Sequence, residues 1–328
     1  MCRIMLKMEK SHFYRLISNG ICPVRGSAVM VVLLLLSFHQ GFSQKPTDHI
    51  FVPKHYLVPD ISFELANFKN YWEVKYLRDN QTVGKVMRTE VRPTLTYGIT
   101  DRMNVYASLP FIQKESKKPN GGFLDEAHGM QDLSLAVKYQ VLEKNINDNR
   151  FSVASALGLS FRPTKYSSDL GFYNLGTGAP ELSIRGIAAY TLKNNIYFRG
   201  GGAYLLHGRA KTYADSYFYI NDVVYSSKMY VPDAVHIEAA TGLWALKNKL
   251  RVELNYSGYK SLGGDSIRSY TSPKPTNRVN YDKIEALAQY FISHNIGIKA
   301  HYSTVVNGLN TPQWNAFGGG IVFKFNVK

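Results

Sequence analysis

Lys249-Leu-Arg-Val-Glu-Leu-Asn-Tyr256 is the stretch that decides the fold class. Leu250, Val252, Leu254 and Tyr256 fall on one face, and Lys249, Arg251, Glu253 and Asn255 on the other. A period of two means a strand, because successive side chains leave a pleated chain on opposite sides. The same rhythm recurs almost to the last residue. Leu133, Leu135, Val137 and Tyr139 oppose Asp132, Ser134, Lys138 and Gln140. Phe151, Val153, Leu157, Leu159 and Phe161 oppose Ser152, Ala154, Ala156, Gly158 and Ser160. A soluble sandwich alternates in the same way, so the decision rests on strand length, turn pattern and what comes first.

What comes first has the anatomy of an export signal. Arg3, Lys7, Lys10, Arg15 and Arg25 stand against one acid, Glu9, and precede the apolar run Ala28-Val-Met-Val-Val-Leu-Leu-Leu-Leu36. The run is far short of the ~18–20 residues that a membrane-crossing helix needs. A basic region, a short apolar core and small residues make a signal peptide. Gly41 and Ser43 occupy the −3 and −1 places for cleavage before Gln44. The expected organisation is a signal peptide over residues 1–43, a periplasmic leader over 44–60 with prolines at 46, 53 and 59, and a barrel over 61–328.

Composition narrows the class. No later apolar run is long enough for a helical membrane protein. Both cysteines, Cys2 and Cys22, precede the apolar core, so the mature chain carries no disulfide, thiol nucleophile or thiolate metal site. The formal charge is +15, and removing five basic residues and one acid with residues 1–43 leaves +11. These charges are scattered, with no basic block or helix for nucleic acid. Tyrosine, at 23, outnumbers phenylalanine, at 17, and tyrosine favours the membrane–water interface.

Along the chain the pattern predicts strands near Tyr71–Leu77, Val86–Ile99, Met103–Ile112, Asp132–Leu142, Phe151–Arg162 and Glu181–Leu192. It predicts six more at Ile196–Leu206, Val235–Leu246, Leu250–Tyr259, Lys283–Phe291, Ile296–Val306 and Asn315–Val327. Short turns such as Thr100-Asp-Arg102 and Lys247-Asn-Lys249 alternate with long polar connections such as 113–130, 163–179, 207–234 and 260–280. Tight periplasmic turns and long external loops are the construction of an outer-membrane barrel. Strands of this length suit a tilted membrane crossing, whereas soluble strands average about 5–6 residues. Lipid admits no open sheet edge, so the sheet must close. The fold expected is an all-β, closed antiparallel transmembrane β-barrel of about twelve strands, apolar outside and polar inside. It is expected in the cell outer membrane, with lipid and the barrel assembly machinery as its partners.

A family resemblance joins this reading at Val91-Arg-Pro-Thr-Leu-Thr-Tyr-Gly-Ile-Thr-Asp-Arg-Met-Asn-Val-Tyr-Ala-Ser-Leu-Pro-Phe-Ile112. The stretch resembles the outer-membrane β-barrel family of the meta pathway of phenol degradation, whose strand ends in Tyr-Gly-x-Thr-Asp-Arg and is followed by one ending in Leu-Pro-Phe. Gly129-Met-Gln-Asp-Leu-Ser-Leu-Ala-Val-Lys-Tyr139 resembles that family's Gly-x-Gly-Asp strand, with Met130 and Gln131 where x-Gly is usual. Leu159-Ser-Phe-Arg-Pro-Thr164 resembles its strand ending in Pro-Thr-Gly, with Lys165 in place of the glycine. These blocks cover about residues 88–192. The resemblance implies passage of aromatic or other hydrophobic compounds across the outer membrane.

The inward faces supply the candidate functional residues: Arg88, Glu90, Arg92, Lys138, Arg162, Glu181, Arg185, Arg199, His236, Glu238, Arg251, Glu253, Lys283, Glu285, Lys299 and Lys324. They line a solute path, or they form a network of ion pairs filling a narrow barrel. Their excess of Arg and Lys favours anions along any open path. Outer-membrane phospholipase A and lipid A deacylase families use His-x-Ser, and His301-Tyr-Ser303 has that spacing. The alternation turns both residues away from lipid, and the wider motif is missing, so an enzyme is not expected. No phosphate-binding glycine loop is present, and no cofactor is expected.

The function expected is a channel for passive passage of small, hydrophobic or aromatic solutes. The alternatives are a narrow anion-preferring porin and a structural or adhesive barrel acting through its external loops. The loops carry Tyr213, Tyr217, Tyr219, Tyr225, Tyr230 and Tyr270, read as an external aromatic cap or a binding surface.

Overall fold

The computed structural model describes residues 45–81, 84–120, 124–267 and 273–327. Residues 1–43, where a signal peptide is expected, and Tyr270 lie outside the described residues. Among the described residues, twelve strands form one closed antiparallel barrel. They are β1 Tyr56–Phe68, β2 Val86–Thr100, β3 Met103–Ser108, β4 Leu133–Ile146, β5 Asn149–Phe161 and β6 Glu181–Thr191, followed by β7 Ile196–His207, β8 Ala234–Ala245, β9 Leu250–Ser261, β10 Asn280–Phe291, β11 Ile296–Leu309 and β12 Asn315–Phe323. Each strand pairs with the next, and β12 returns to β1, from Asp60 opposite Val322 to Asn67 opposite Asn315. Closure leaves no row of unpaired N–H and C=O groups to face lipid.

The side-chain distribution is inverted relative to a soluble protein. Ile61, Phe63 and Leu65, Leu157 and Leu159, Ile184, Leu254, Ile298, Phe317 and Ile321 are all exposed. Lys138, Gln140, Arg199, Arg251, Glu253, Asn255, Glu285 and Gln289 are buried. In water this arrangement would strand a large apolar surface. In a bilayer it is the expected one, with hydrocarbon against the outer face and polar groups in the lumen.

The short turns follow from local chemistry. Asn147 and Asp148 join β4 to β5 with φ of 48° and 66°. Two successive left-handed residues make the hairpin turn whose twist matches its strands, and Asn and Asp tolerate that conformation best. Leu246, Lys247 and Asn248 turn β8 into β9, also with positive φ.

The first strand differs from expectation. It is not near Tyr71–Leu77 but at Tyr56–Phe68, where Ile61, Phe63 and Leu65 alternate with Ser62, Glu64 and Ala66. Asn70–Glu73 and Tyr76–Asp79 form a small hairpin that pairs with Thr311–Pro312 outside the barrel sheet. The period of two across Trp72, Val74 and Tyr76 is interrupted by Val74 itself, which turns the hairpin at φ 54°. Pro59 had suggested an unpaired leader, yet near the start of a strand proline is tolerated.

Beyond the membrane the wall continues on one side. After Leu109-Pro110 the third strand resumes as Phe111–Asn120, and Leu124–Met130 runs down to β4 across Gln131-Asp132. Ser108 faces Ser134 below this break, while Phe111 faces Met130 above it, so the register slips by one residue. Phe111 stays exposed and Ile112 stays buried, so the inner face is continuous through the break. The connection 162–180 folds against that inner face: Tyr166 and Leu175 cluster with Ile112, and Tyr173 with Phe68 and Val86.

Candidate functional site

The lumen is organised in rows, because residues paired across strands share a level. Thr191, Tyr197, Gly242, Glu253 and Leu287 form one row across β6 to β10. Above it lie Ala189, Arg199, Ala240, Asn255 and Glu285, then Ile187, Gly201, Glu238, Ser257 and Lys283. The next row is Arg185, Ala203, His236, Tyr259 and Tyr281.

Charges in the lower rows are interlocked. Arg251 reaches Glu253 at 2.6 Å, and Arg199 bridges Glu253 at 3.1 Å and Glu238 at 3.3 Å. Tyr197 donates its hydroxyl proton to Glu253 at 2.7 Å and accepts from Arg251 Nε at 2.9 Å. All four are buried, and buried charges persist only when paired and hydrogen-bonded.

Into these rows comes the leader. Lys45–His55 does not extend away from the barrel but turns inside it. The fully buried ammonium of Lys138 donates to the Ile50 carbonyl at 2.7 Å, to the Asp48 carboxylate at 3.0 Å and to the Asp48 carbonyl at 3.1 Å. Arg199 donates to the Thr47 carbonyl at 2.6 Å, and Lys45 pairs with Glu285 at 3.2 Å. The Asn104 side chain holds Val52 like a strand partner, accepting from its N–H at 2.8 Å and donating to its carbonyl at 2.9 Å. Gly98 leaves room for this path, since a Cβ there would sit 2.1 Å from the Pro53 carbonyl oxygen.

The buried setting shapes the leader's own titrating groups. Burial pushes the Asp48 carboxyl up, but Lys138 and Arg251 outweigh it and hold the group below its usual range. Burial, with the Arg251 guanidinium, pushes the His49 imidazole down to about 3, so the ring is neutral against Tyr197, 4.7 Å between centroids.

A second charged cluster lies on β1, β2 and β11. Arg88 pairs with Glu64 and lies 3.9 Å from Glu90, and Arg92 also pairs with Glu90. Lys299 pairs with Asp60, and His301 Nε2 lies 3.0 Å from Glu64. His301 thus reaches along the wall, over Gly318 of β12, to a carboxylate on β1, and Ser303 is buried on the same strand as His301.

The other sequence candidates lie at the margins of these two clusters. Arg185 approaches Glu238 only at 3.5 Å and His236 at 3.4 Å. Lys283 lies 3.5 Å from Glu285, which Lys45 also holds. Glu181 pairs with His207 at 3.1 Å at the outer rim. Arg162 donates to the Tyr166 carbonyl and lies over the Tyr166 ring, in the connection 162–180. Lys324 lies 4.5 Å from the Tyr56 ring centroid at the opposite end.

Sequence reasoning missed Lys45, Asp48, Asp60, Glu64 and Asn104. Asp60 and Glu64 went unassigned because their strand was placed later in the chain. Lys45 and Asp48 sit in a proline-marked stretch with no periodicity, and only charge complementarity to the lumen could have flagged them. In the 207–234 connection, Tyr217 is buried in a cluster with Ala210 and Met229, while Tyr213 and Tyr225 are exposed.

Residues 80–325 match the model of the family described as "Putative MetA-pathway of phenol degradation". No curated protein matches the chain. Among solved structures it is similar to an outer membrane channel from Pseudomonas putida F1, at 13% identity and a TM-score of 0.67, over 86% of this chain and 100% of that one. It is also similar to the NanC porin, at 10% identity and a TM-score of 0.44, over 80% of this chain and 100% of that one. A deltaS2 mutant of the TodX monoaromatic hydrocarbon channel follows at 9% identity and a TM-score of 0.42, over 86% and 93%. The first of these shows a shared barrel fold; the other two are too distant in shape to add to it.

Proposed function

The chain belongs to this phenol-degradation family, as the blocks between residues 88 and 192 implied, and from that premise we propose that it is an outer-membrane channel for small solutes, aromatic or hydrophobic ones foremost. The observation that carries the channel role is the inversion: a closed barrel with apolar residues outside and a polar, charged interior. On β4 and β5 the inner face carries the small residues Ala136, Ala154, Ala156 and Gly158. The preference for aromatic solutes rests on the family description alone.

The leader is the closing element of this channel, seated across the periplasmic half of the lumen by Lys138, Arg199 and Asn104. Passage requires it to move. No hydrolytic role is assigned to His301 and Ser303, since both residues face away from lipid.

A second reading, a narrow porin preferring anions, is favoured by one observation. The cluster around the leader holds more cations than carboxylates, and focused positive potential enriches anions. The test is single-channel recording of the refolded mature chain and of a variant lacking residues 44–54. Discrete steps that grow on deletion are expected. A correctly folded deletion variant that passes neither current nor solute into liposomes would end the channel proposal.

A further inference from the structure

Charge balance separates the two lumen clusters. On β1, β2 and β11, Asp60, Glu64 and Glu90 meet Lys299, Arg88 and Arg92, three against three. Around the leader, Asp48, Glu238, Glu253 and Glu285 meet Lys45, Lys138, Arg185, Arg199, Arg251 and Lys283, four against six. The surplus is not spread evenly. Lys138, Arg199 and Arg251 are held by ion pairs or carbonyls at 2.6–3.1 Å. Arg185 and Lys283 sit at the upper edge of the cluster, each 3.5 Å from a carboxylate that another cation already binds. A guanidinium in the interior with only long contacts retains unspent capacity for a planar anion.

What stands beside these cations is aromatic. Arg185 shares its row with Ala203, His236, Tyr259 and Tyr281. Tyr259 and Tyr281 stack with centroids 5.2 Å apart and planes 5° apart. Tyr259 packs on the cluster of Ala203, Leu205 and Ala234, and Ala203 is the β7 residue paired with Arg185. Ala203, and Gly201 in the row below, leave β7 without bulk between Arg185 and His236. Two acids flank this row: Glu238 in the row below, committed to Arg199 at 3.3 Å, and Glu181 two rows above on β6, committed to His207 at 3.1 Å.

We propose that Arg185 and Lys283, with the stacked Tyr259 and Tyr281, form a binding subsite above the leader for a small aromatic carboxylate. The carboxylate lies on the guanidinium and the ammonium, and the ring lies against the tyrosine pair, where offset stacking adds to apolar burial. The subsite deepens the channel reading and rests on it, because the solute reaches this row only through the lumen.

The test is isothermal titration of the refolded mature chain with benzoate, with acetate (the carboxylate without the ring) and with phenol (the ring without the carboxylate). Benzoate should bind saturably and more tightly than either. Arg185→Gln should weaken benzoate about tenfold or more and leave phenol unchanged. Arg185→Lys should recover part of the loss. Tyr259→Leu should weaken benzoate and leave acetate unchanged. Heat-shifted gel mobility of the barrel verifies that each variant is folded, and a Lys283→Gln variant replaces any that is not. Absence of saturable benzoate binding, or binding indifferent to Arg185→Gln and Tyr259→Leu, overturns the subsite. Current recorded on the same preparation and on the variant lacking residues 44–54 separates the two levels: conductance without benzoate binding removes the subsite and keeps the channel, whereas a folded deletion variant that stays silent ends the channel reading.

Discussion

Gly98→Ala should open the channel without harming the barrel. Gly98 does not have a left-handed φ, so alanine suits the strand backbone itself. The added methyl would lie 2.1 Å from the Pro53 oxygen and 2.7 Å from the Val52 oxygen. Ordinary contacts begin at about 3.4 Å, and both obstacles are backbone, so the leader must retreat by about 1 Å or more. A shift of that size breaks the bond from His55 N–H to the Gly98 carbonyl, 2.9 Å, and strains the Asn104–Val52 pair, 2.8 and 2.9 Å. At about 1 kcal/mol per neutral hydrogen bond, the docked leader loses about 2–3 kcal/mol, which raises the undocked population roughly 30- to 150-fold. Planar-bilayer recording should show longer or larger openings, and protease added to the periplasmic side should cut the leader faster. Gly186→Ala is the control, since a Cβ there meets nothing within 4 Å. A folded Gly98→Ala barrel with wild-type conductance and wild-type leader cleavage would mean that the leader does not close the path.

Three further outcomes are expected. Lys138→Met removes the ammonium that holds Asp48 and the Ile50 carbonyl, leaving buried acceptors alone; leader docking should weaken by about 3–5 kcal/mol, read as protease sensitivity at residues 45–55 in an otherwise heat-stable barrel. Leu157→Arg, on the exposed outer face, should destabilise folding into lipid by about 2–4 kcal/mol, whereas Ser152→Arg on the inner face should cost far less, both measured by equilibrium denaturation in bilayers. The Asp48 carboxyl titrates below its unfolded value, so its contribution to docking is complete above that value, about 3.9, and is lost as pH falls through the lower folded one; conductance should be flat from pH 7 to 5 and rise only below about pH 4.

The barrel was legible because its determinants are local. Alternation, as in Leu250 to Tyr256, and turn residues such as Asn147-Asp148 are written within a few positions, and the strands after the first begin close to where alternation places them. The misplaced first strand shows the limit: Pro59 obscured β1, and a chance alternation around Val74 replaced it. The candidate charges were found on the inner faces because facing follows from period. Their partners were not, since Arg88 with Glu64 joins different strands, and pairing across a barrel depends on register and closure. The leader's position was least legible, because an irregular segment bonded to side chains from β3, β4, β7 and β10 carries no pattern of its own.

The charge ledger of the lumen constrains how the leader can act. The leader brings Lys45 to Glu285 and Asp48 to Lys138 and Arg251. Of the side chains paired with the wall, one positive and one negative leave together when it undocks, so the surplus on the wall is the same before and after. Arg185, Lys138, Arg199, Arg251 and Lys283 then face Glu238, Glu253 and Glu285. Undocking therefore changes the width of the path and the exposure of these charges, not their sign. The selectivity of the leaderless barrel should remain on the anion side, with a larger conductance. Desolvation is relieved at the same time, since water replaces the Ile50, Asp48 and Thr47 carbonyls around Lys138 and Arg199. Residues 44–54 also carry the exposed Lys54, which gives the segment one net positive side chain, so reversal potentials recorded with and without it should differ only slightly, and both should stay on the anion side.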